Sequence, residues 1–383
     1  MIAESEFKTK IVRKIEEIPL QDWNKVFPKA LENYYFFKNL DESNLSQFSF
    51  FYILVYDMGT CVGATSCFIM DFPLDIAIEG KLKIITNFIK RFFRKILSPK
   101  ILICGSPMGQ GRIGIAAEPK KVIQAIYKCM EGIARKEKVG IIAFKDFDLS
   151  YKNIFDECFD GSFLRIDSLP STDMDINFTS FDEYLKTLSS VSRSGLKRKL
   201  KKIENQVKID LEITNKLEEG ILSEVYALYL QAYENQEIGL EKLSIDFFRN
   251  ISKNMPDETK FFLWKINNKL AAFAFCLISG DYFIDYYLGF DYSIAYKYNL
   301  YFVRFRDLMN WCIENKIKKY EMGQTGYEPK RRLGFRFIPL YIYVKHRSKL
   351  FNPVFKKLSY MMRPVNFQAV SEESNDSKKN VSI

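Results

Sequence analysis

The sequence predicts an α/β protein of two tandem units, each a mixed central sheet flanked by helices. Three observations carry this reading. At 383 residues the chain exceeds one ordinary core. The stretch Phe283–Phe335 runs strand, turn, helix, strand and polar loop. The stretch Ile101–Phe144 shows the same order, with a Gly-containing loop before its helix. A right-handed crossover between neighbouring parallel strands produces this order. The expected division is 1–170 with an insertion at 76–100, then 171–350, then a basic and apolar segment at 351–383.

Along the chain, Trp23, Phe27 and Leu31 stand at helical spacing in a region of starter pieces. Phe50–Tyr56 and Cys61–Met70 are apolar runs around Asp57-Met58-Gly59, the pattern of a hairpin. In Lys81–Leu97, Ile85, Phe88, Ile89, Phe92 and Ile96 share a helical face, and Lys83, Lys90, Arg91, Arg94 and Lys95 lie mostly elsewhere. That composition suits a helix lying on an anionic membrane surface, or a surface helix packed on the protein's own core. Gly105–Gly114 carries four glycines before the helix Pro119–Lys138, a phosphate cradle or simply a tight connection. Its spacing matches neither a Walker loop nor a dinucleotide fingerprint. Phe163–Asp175 is a linking strand punctuated by Pro170.

Phe181, Tyr184, Leu185 and Leu188 give a new helix its apolar face, and six basic residues follow between Arg193 and Lys202. That run is either a solvated face or a lip facing an anion. Ile221–Glu234 carries Tyr226, Tyr229 and Tyr233 on one side, lining a cavity or filling a core. Thr259–Ile266 and Leu270–Ile278 form a hairpin around Asn267-Asn268. Phe283–Phe290 alternates as a strand, Leu300–Ile313 has helical spacing, Tyr320–Met322 is a short strand, and Pro339–Lys345 is a last one. Ser371–Ile383 has the composition of a disordered tail.

Composition narrows the chemistry. His346 is the only histidine, so a histidine-rich metal site is excluded and no metal site is expected. Seven irregularly spaced cysteines without a CxxC pair suit buried thiols in a reducing compartment. No apolar run is long enough to cross a bilayer and the N-terminus lacks a signal peptide's apolar core, so a cytoplasmic protein is expected. The net charge is +10, and no acid occurs between Glu79 and Glu118 or between Glu328 and Glu372, which points to an anionic partner.

Three pieces of the second half resemble the GNAT acyltransferase superfamily in its FemAB-like branch of tandem-domain N-acyltransferases. Phe181-Asp182-Glu183-Tyr184 with Leu188 leads through Arg193 into the basic run Lys197-Arg198-Lys199. Tyr286–Asp291 is similar to a central strand ending in Gly-x-Asp. Gly323-Gln324-x-Gly326-Tyr327-Glu328-x-Lys330, with Arg332, Gly334 and Phe335, resembles the terminal signature, a lysine shortly before Gly-Phe. The match covers about residues 178–346. Tyr327 stands where some relatives carry a histidine, which puts a histidine-dependent mechanism in doubt.

The resemblance implies two GNAT-like domains and acyl transfer to an amine, from acyl-CoA or acyl-carrier protein as co-substrate with no permanently bound cofactor. FemX-type relatives use aminoacyl-tRNA instead, and a non-catalytic nucleic-acid or membrane-binding module is a further alternative. On this reading the backbone of Tyr286–Gly289, with Gly289 and Gln324, grips the donor, while Lys297 and the helix start at Asn299 meet its phosphates. Asp285 or Asp291 takes the amine proton and Tyr287 or Tyr327 protonates the leaving group. Lys330 neutralises developing charge or binds an acceptor phosphate, and Arg193, Arg198 and Tyr233 line the substrate mouth.

Overall fold

A computed structural model describes residues 7–28, 30–72, 99–235 and 241–361. The helix expected at Lys81–Leu97 and the tail after Met361 lie outside these residues. The chain forms two compact units, and they do not follow the linear cut expected at residue 170. One unit comprises residues 1–17, 47–169 and 339–383, the other 18–46 and 170–338. The cause is topological: the first sheet is completed by β-strand Leu340–His346 from the far end of the chain, and the second unit takes helices from residues 18–46.

Among the described residues, the first unit's sheet runs in the order β1 (Lys8–Val12), β2 (Ser49–Asp57), β3 (Thr60–Asp71), β4 (Lys100–Cys104), β6 (Ile141–Asp148), β15 (Leu340–His346), β7 (Leu164–Asp167). The short β5 (Gly114–Ile115) pairs with β3. Thus the last strand of the chain sits between two strands made some two hundred residues earlier. Helix α3 (Pro119–Lys136) crosses from β4 to the parallel β6, its buried face being Val122, Ile123, Ile126, Met130 and Ile133. Phe144, Phe147, Phe155 and Phe159 fill the core beneath it, Phe155 and Phe159 coming from α4 (Lys152–Phe159).

The Gly-rich loop after β4 proves to be a tight connection. Gly111 N–H donates to the Asp146 carbonyl, 2.9 Å, and a Cβ at Gly111 would collide with the Lys145 carbonyl and the Phe147 ring. Ser106, Pro107 and Met108 are buried. The loop therefore lies against β6 where a gap beside a parallel strand would otherwise open.

The second unit's sheet runs β14 (Arg336–Ile338), β8 (Ser171–Asp175), β13 (Lys319–Glu321), β12 (Tyr282–Phe290), β11 (Lys269–Ser279), β10 (Thr259–Ile266), β9 (Asp210–Thr214). The linking strand expected at Phe163–Asp175 is split by Pro170 into β7 and β8, which belong to different sheets. One face of the second sheet carries α5 (Phe181–Thr187), α6 (Ser190–Glu204) and α10 (Leu300–Glu314) over a core of Tyr184, Leu196, Phe262, Phe283, Phe305 and Tyr320. The other face carries α2 (Tyr34–Glu42), α7 (Glu219–Glu234) and α8 (Ile245–Asn254), with α1 (Leu20–Val26) packed on α2 through Trp23 and Phe37. There Phe247 and Phe248 of α8 meet Phe275 of β11 edge-on. The remaining helices are α9 (Tyr292–Ala295), α11 (Tyr327–Arg332) and α12 (Asn352–Met361).

Gly289 shows how closely this second face is packed. A Cβ there would stand 2.7 Å from the Leu228 backbone of α7 and 2.5 Å from the Phe273 ring. The backbone obstacle is fixed by helical hydrogen bonds. Gly289→Ala is expected to lower stability by about 2–3 kcal/mol through overpacking, read from urea denaturation.

Candidate active site

Two departures from regular sheet geometry define the site in the second unit. The first is the parting of β12 from β13. The parallel pair matches Tyr282 with Lys319, Phe283 with Tyr320 and Ile284 with Glu321, and stops there. β12 continues to Phe290 held only by β11, while β13 turns away into the loop that leads to α11. Among the described residues, β12 has no neighbouring strand on its β13 side beyond Ile284. The second departure is a β-bulge. Cys276 opposes Asp285 but Phe275 opposes Tyr287, so Tyr286 is an extra residue. A bulge re-aims side chains and terminates pairing, and this one sits where the wedge opens.

The bulge separates residues that strict alternation would place together. Asp285 faces α10, where its carboxylate receives Arg304 and the Tyr320 hydroxyl, the latter at 3.1 Å. Tyr286 and Tyr287 face α2 and α7. Tyr286 donates to the Glu32 carboxylate, and Tyr287 donates to Glu241 at 2.7 Å with its ring edge-on to Tyr229. Burial, reinforced by the Glu241 charge, pushes the Tyr287 hydroxyl well above the usual tyrosine range. It therefore stays protonated and able to donate.

Asp285 is not the free base the sequence suggested. Its partner Arg304 is 0% exposed, and among the described residues Arg304 Nε, Arg304 Nη2 and Asp285 Oδ1 have no hydrogen-bond partner of normal geometry. Burial lifts the Tyr301 hydroxyl to about 12 against the opposing Arg304 charge, whose guanidinium lies 5.4 Å from the ring. Side chains on a helix lean towards its N-terminus, which is how Arg304 reaches back over the first turn of α10.

Lys330 of α11 is 5% exposed and its ammonium donates to three successive carbonyls: Met322 at 2.7 Å, Gly323 at 3.1 Å and Gln324 at 3.0 Å. Burial pulls it from the ordinary lysine value down to about 7; Asp285 and Glu321 pull it up and Arg304 pushes it further down. All three of its protons are engaged by the loop after β13, so it acts on that loop rather than as a free surface charge.

The remaining expected residues divide by environment. Gln324 lies in the clamped loop. Asp291 caps α9, accepting from the Ser293 N–H at 3.0 Å, so its carboxylate holds a turn rather than an amine proton. Tyr327 donates to the Pro170 carbonyl at 3.0 Å, which turns it from the leaving-group role to a local tie. Gly289 is needed for close packing against α7 rather than for a ligand. Asn299 is left-handed at the start of α10 and provides no side-chain cap; exposed Lys297 stands 4.9 Å from the Tyr298 ring. Arg193 donates to the Leu188 carbonyl at 3.5 Å, and Tyr233 packs beside Tyr229 and Lys242. Arg198 belongs to a basic cluster with Arg332 and Lys199, whose ammonium lies 3.7 Å over Phe302 of α10. Burial, then Arg332 and Arg198, lower the Lys199 pKa.

Arg304, Tyr301, Glu241 and Glu32 were not among the expected residues. One signal did exist for Arg304: it stands four residues before Leu308 and eight before Cys312, on their buried stripe. Among the described residues, no group of His, Cys, Asp and Glu could hold a metal ion, and no helix is long and apolar enough to cross a membrane.

Comparison with known proteins agrees with this architecture. FemX shares the fold with a TM-score of 0.56 at 12% identity, over 87% of this chain and 96% of that one. A tandem GNAT protein from the clavulanic acid biosynthesis pathway gives 0.53 at 9% identity, over 89% and 99%. L-PGS from Bacillus licheniformis gives 0.51 at 11% identity, over 88% and 96%. The fold is therefore that of the tandem GNAT proteins. No curated protein sequence matches the chain. The profile of the FemAB-like family, described by peptidoglycan biosynthesis and recognition, matches residues 90–363, and the chain belongs to that family.

Proposed function

We propose that the chain is an N-acyltransferase whose reaction takes place in the wedge between β12 and β13. The parting of these strands after three paired residues carries the reading. It leaves a stretch of β12 beside a bulge without a neighbouring strand on one side, the arrangement needed to admit an activated carbonyl and meet its developing oxyanion. The donor is a thioester of coenzyme A or carrier protein, and the acceptor is an amine of a lipid or cell-envelope precursor. The amine nitrogen bonds to the carbonyl carbon and the carbonyl–sulfur bond breaks. The amine proton passes to the Glu241 carboxylate, and Tyr287, hydrogen-bonded to that carboxylate, delivers a proton to the departing sulfur. A net proton thus moves from amine to thiol. Asp285 and Arg304 brace the vertex from the α10 side.

The basic cluster of Arg198, Lys199 and Arg332 favours a second reading, an aminoacyl-tRNA donor met through its phosphates. There the broken bond is carbonyl–oxygen and the same relay protonates the ribose hydroxyl. The test offers the purified chain palmitoyl-CoA, acetyl-CoA, acyl-carrier protein and aminoacyl-tRNA with a broad amine mixture, followed by intact mass. Acyl transfer from a thioester is expected, reduced about a hundredfold in Tyr287→Phe. Transfer only from tRNA would favour the second reading. No transfer from any donor leaves a non-catalytic binding module, and the proposal fails.

A further inference from the structure

The Lys330 clamp has a second side. In a trans peptide the carbonyl and the N–H of the same plane point in opposite directions. Three successive carbonyls, those of Met322, Gly323 and Gln324, converge on the Lys330 ammonium. The N–H groups in the same peptide planes belong to Gly323, Gln324 and Thr325, and they point away from it. Among the described residues, the N–H groups of Gly323 and Thr325 have no acceptor. The loop is open on this side: Thr325 and Gly326 are exposed and Gly323 is half-buried.

The backbone alternates in hand here. Gly323 has φ 59° and Thr325 has φ 66°, while Gln324 between them is not left-handed. Alternation of this kind curves successive N–H groups around a common point, forming an anion-binding nest. A positive φ is unusual for a β-branched residue and needs support from its surroundings. The support is visible: the Thr172 hydroxyl donates to the Gly323 carbonyl at 2.9 Å, and the ammonium holds the three carbonyls together. A cation on the carbonyl side also polarises each peptide and strengthens its N–H as a donor.

We propose that the loop Gly323–Gly326 is an anion-binding site for a phosphate group, with backbone N–H groups as ligands and Lys330 as the buried counter-charge behind them. The two N–H donors of Gly323 and Thr325, on a concave loop, match two oxygens of a tetrahedral oxyanion. Lys330 touches no substrate here; it is a positioning residue acting through the peptide planes. On the transferase reading the phosphate belongs either to the donor's carrier or to the acceptor, and the binding chemistry is common to both.

The experiment is a titration of glycine-selectively 15N-labelled protein with inorganic phosphate at constant ionic strength, with chloride as the control. The Gly323 amide is expected to shift saturably with phosphate and not with chloride. CoA and UDP, titrated in parallel, distinguish donor phosphates from acceptor ones. In Lys330→Met the phosphate affinity is expected to fall about tenfold. Silence of the Gly323 amide towards all three phosphate ligands in the wild-type chain overturns the site, whatever the variant does. Full affinity in a folded Lys330→Met overturns the counter-charge. Both readouts are of binding, so they succeed or fail separately from the transfer assay.

Discussion

Replacing Lys330 by methionine is expected to lower transfer activity about a hundredfold, the scale of losing a preorganised electrostatic contact, and to destabilise the fold by about 1–3 kcal/mol. The stability loss is moderate because two effects oppose each other. The substitution leaves the Met322, Gly323 and Gln324 carbonyls without their common donor. It also removes a charge from a site with only 5% exposure. The pH dependence follows from the depressed pKa. Lys330 sheds its proton at about 7 in the folded chain and near its ordinary 10.5 when unfolded. Between these values the unfolded state binds more protons, so this group makes the fold more stable as pH rises through the window. Below about 7 both states hold the proton and the contribution is flat. The clamp behaves oppositely, since a neutral amine has one N–H fewer than the carbonyls it must satisfy. Activity should therefore decline above neutral pH while thermal stability does not. In Lys330→Met the stability change across that window should disappear; its persistence would show that another group titrates there.

Removing the carboxylate of Asp285 is expected to have the largest effect on stability. Asp285→Ala strands Arg304, fully buried, without its counter-ion and takes an acceptor from the Tyr320 hydroxyl. Breaking one side of such a pair costs about 3–5 kcal/mol. The double variant Asp285→Leu with Arg304→Met removes both charges and is expected to recover most of that loss, because apolar side chains of similar size suit this core. Urea unfolding of the two singles and the double measures the coupling. A cost below about 1 kcal/mol for Asp285→Ala would mean that water reaches Arg304 and that the vertex is not dry.

Local patterns in the sequence were legible where periodicity governs structure. The hairpin β10–β11, the crossover through α10 and the final strand lie within a residue or two of their expected places, because side-chain alternation and helical spacing decide them. The bulge at Tyr286 was not legible. It depends on how two strands share hydrogen bonds, and it moved Asp285 and Tyr287 to opposite faces of one sheet. Lys330 stood out through the family signature, but its contacts are all to backbone atoms, which no side-chain pattern encodes. Helix α11 begins inside the stretch read as a polar loop, and strand β14 was not expected at all; the pairing of Arg336–Ile338 with β8 is a long-range event. The two-unit division was visible as a repeat of element order, but the exchange of chain segments between the units was not.

That exchange has a consequence for synthesis on the ribosome. β6 and β7 gain their shared neighbour only when residues 340–346 have been made. Until then two strands of the first sheet hold unpaired edges, open to aggregation and to chaperones. A nascent chain halted at residue 330 would carry the other strands of this sheet with a gap between β6 and the outermost strand β7. The earliest-made half of this protein is thus sealed last.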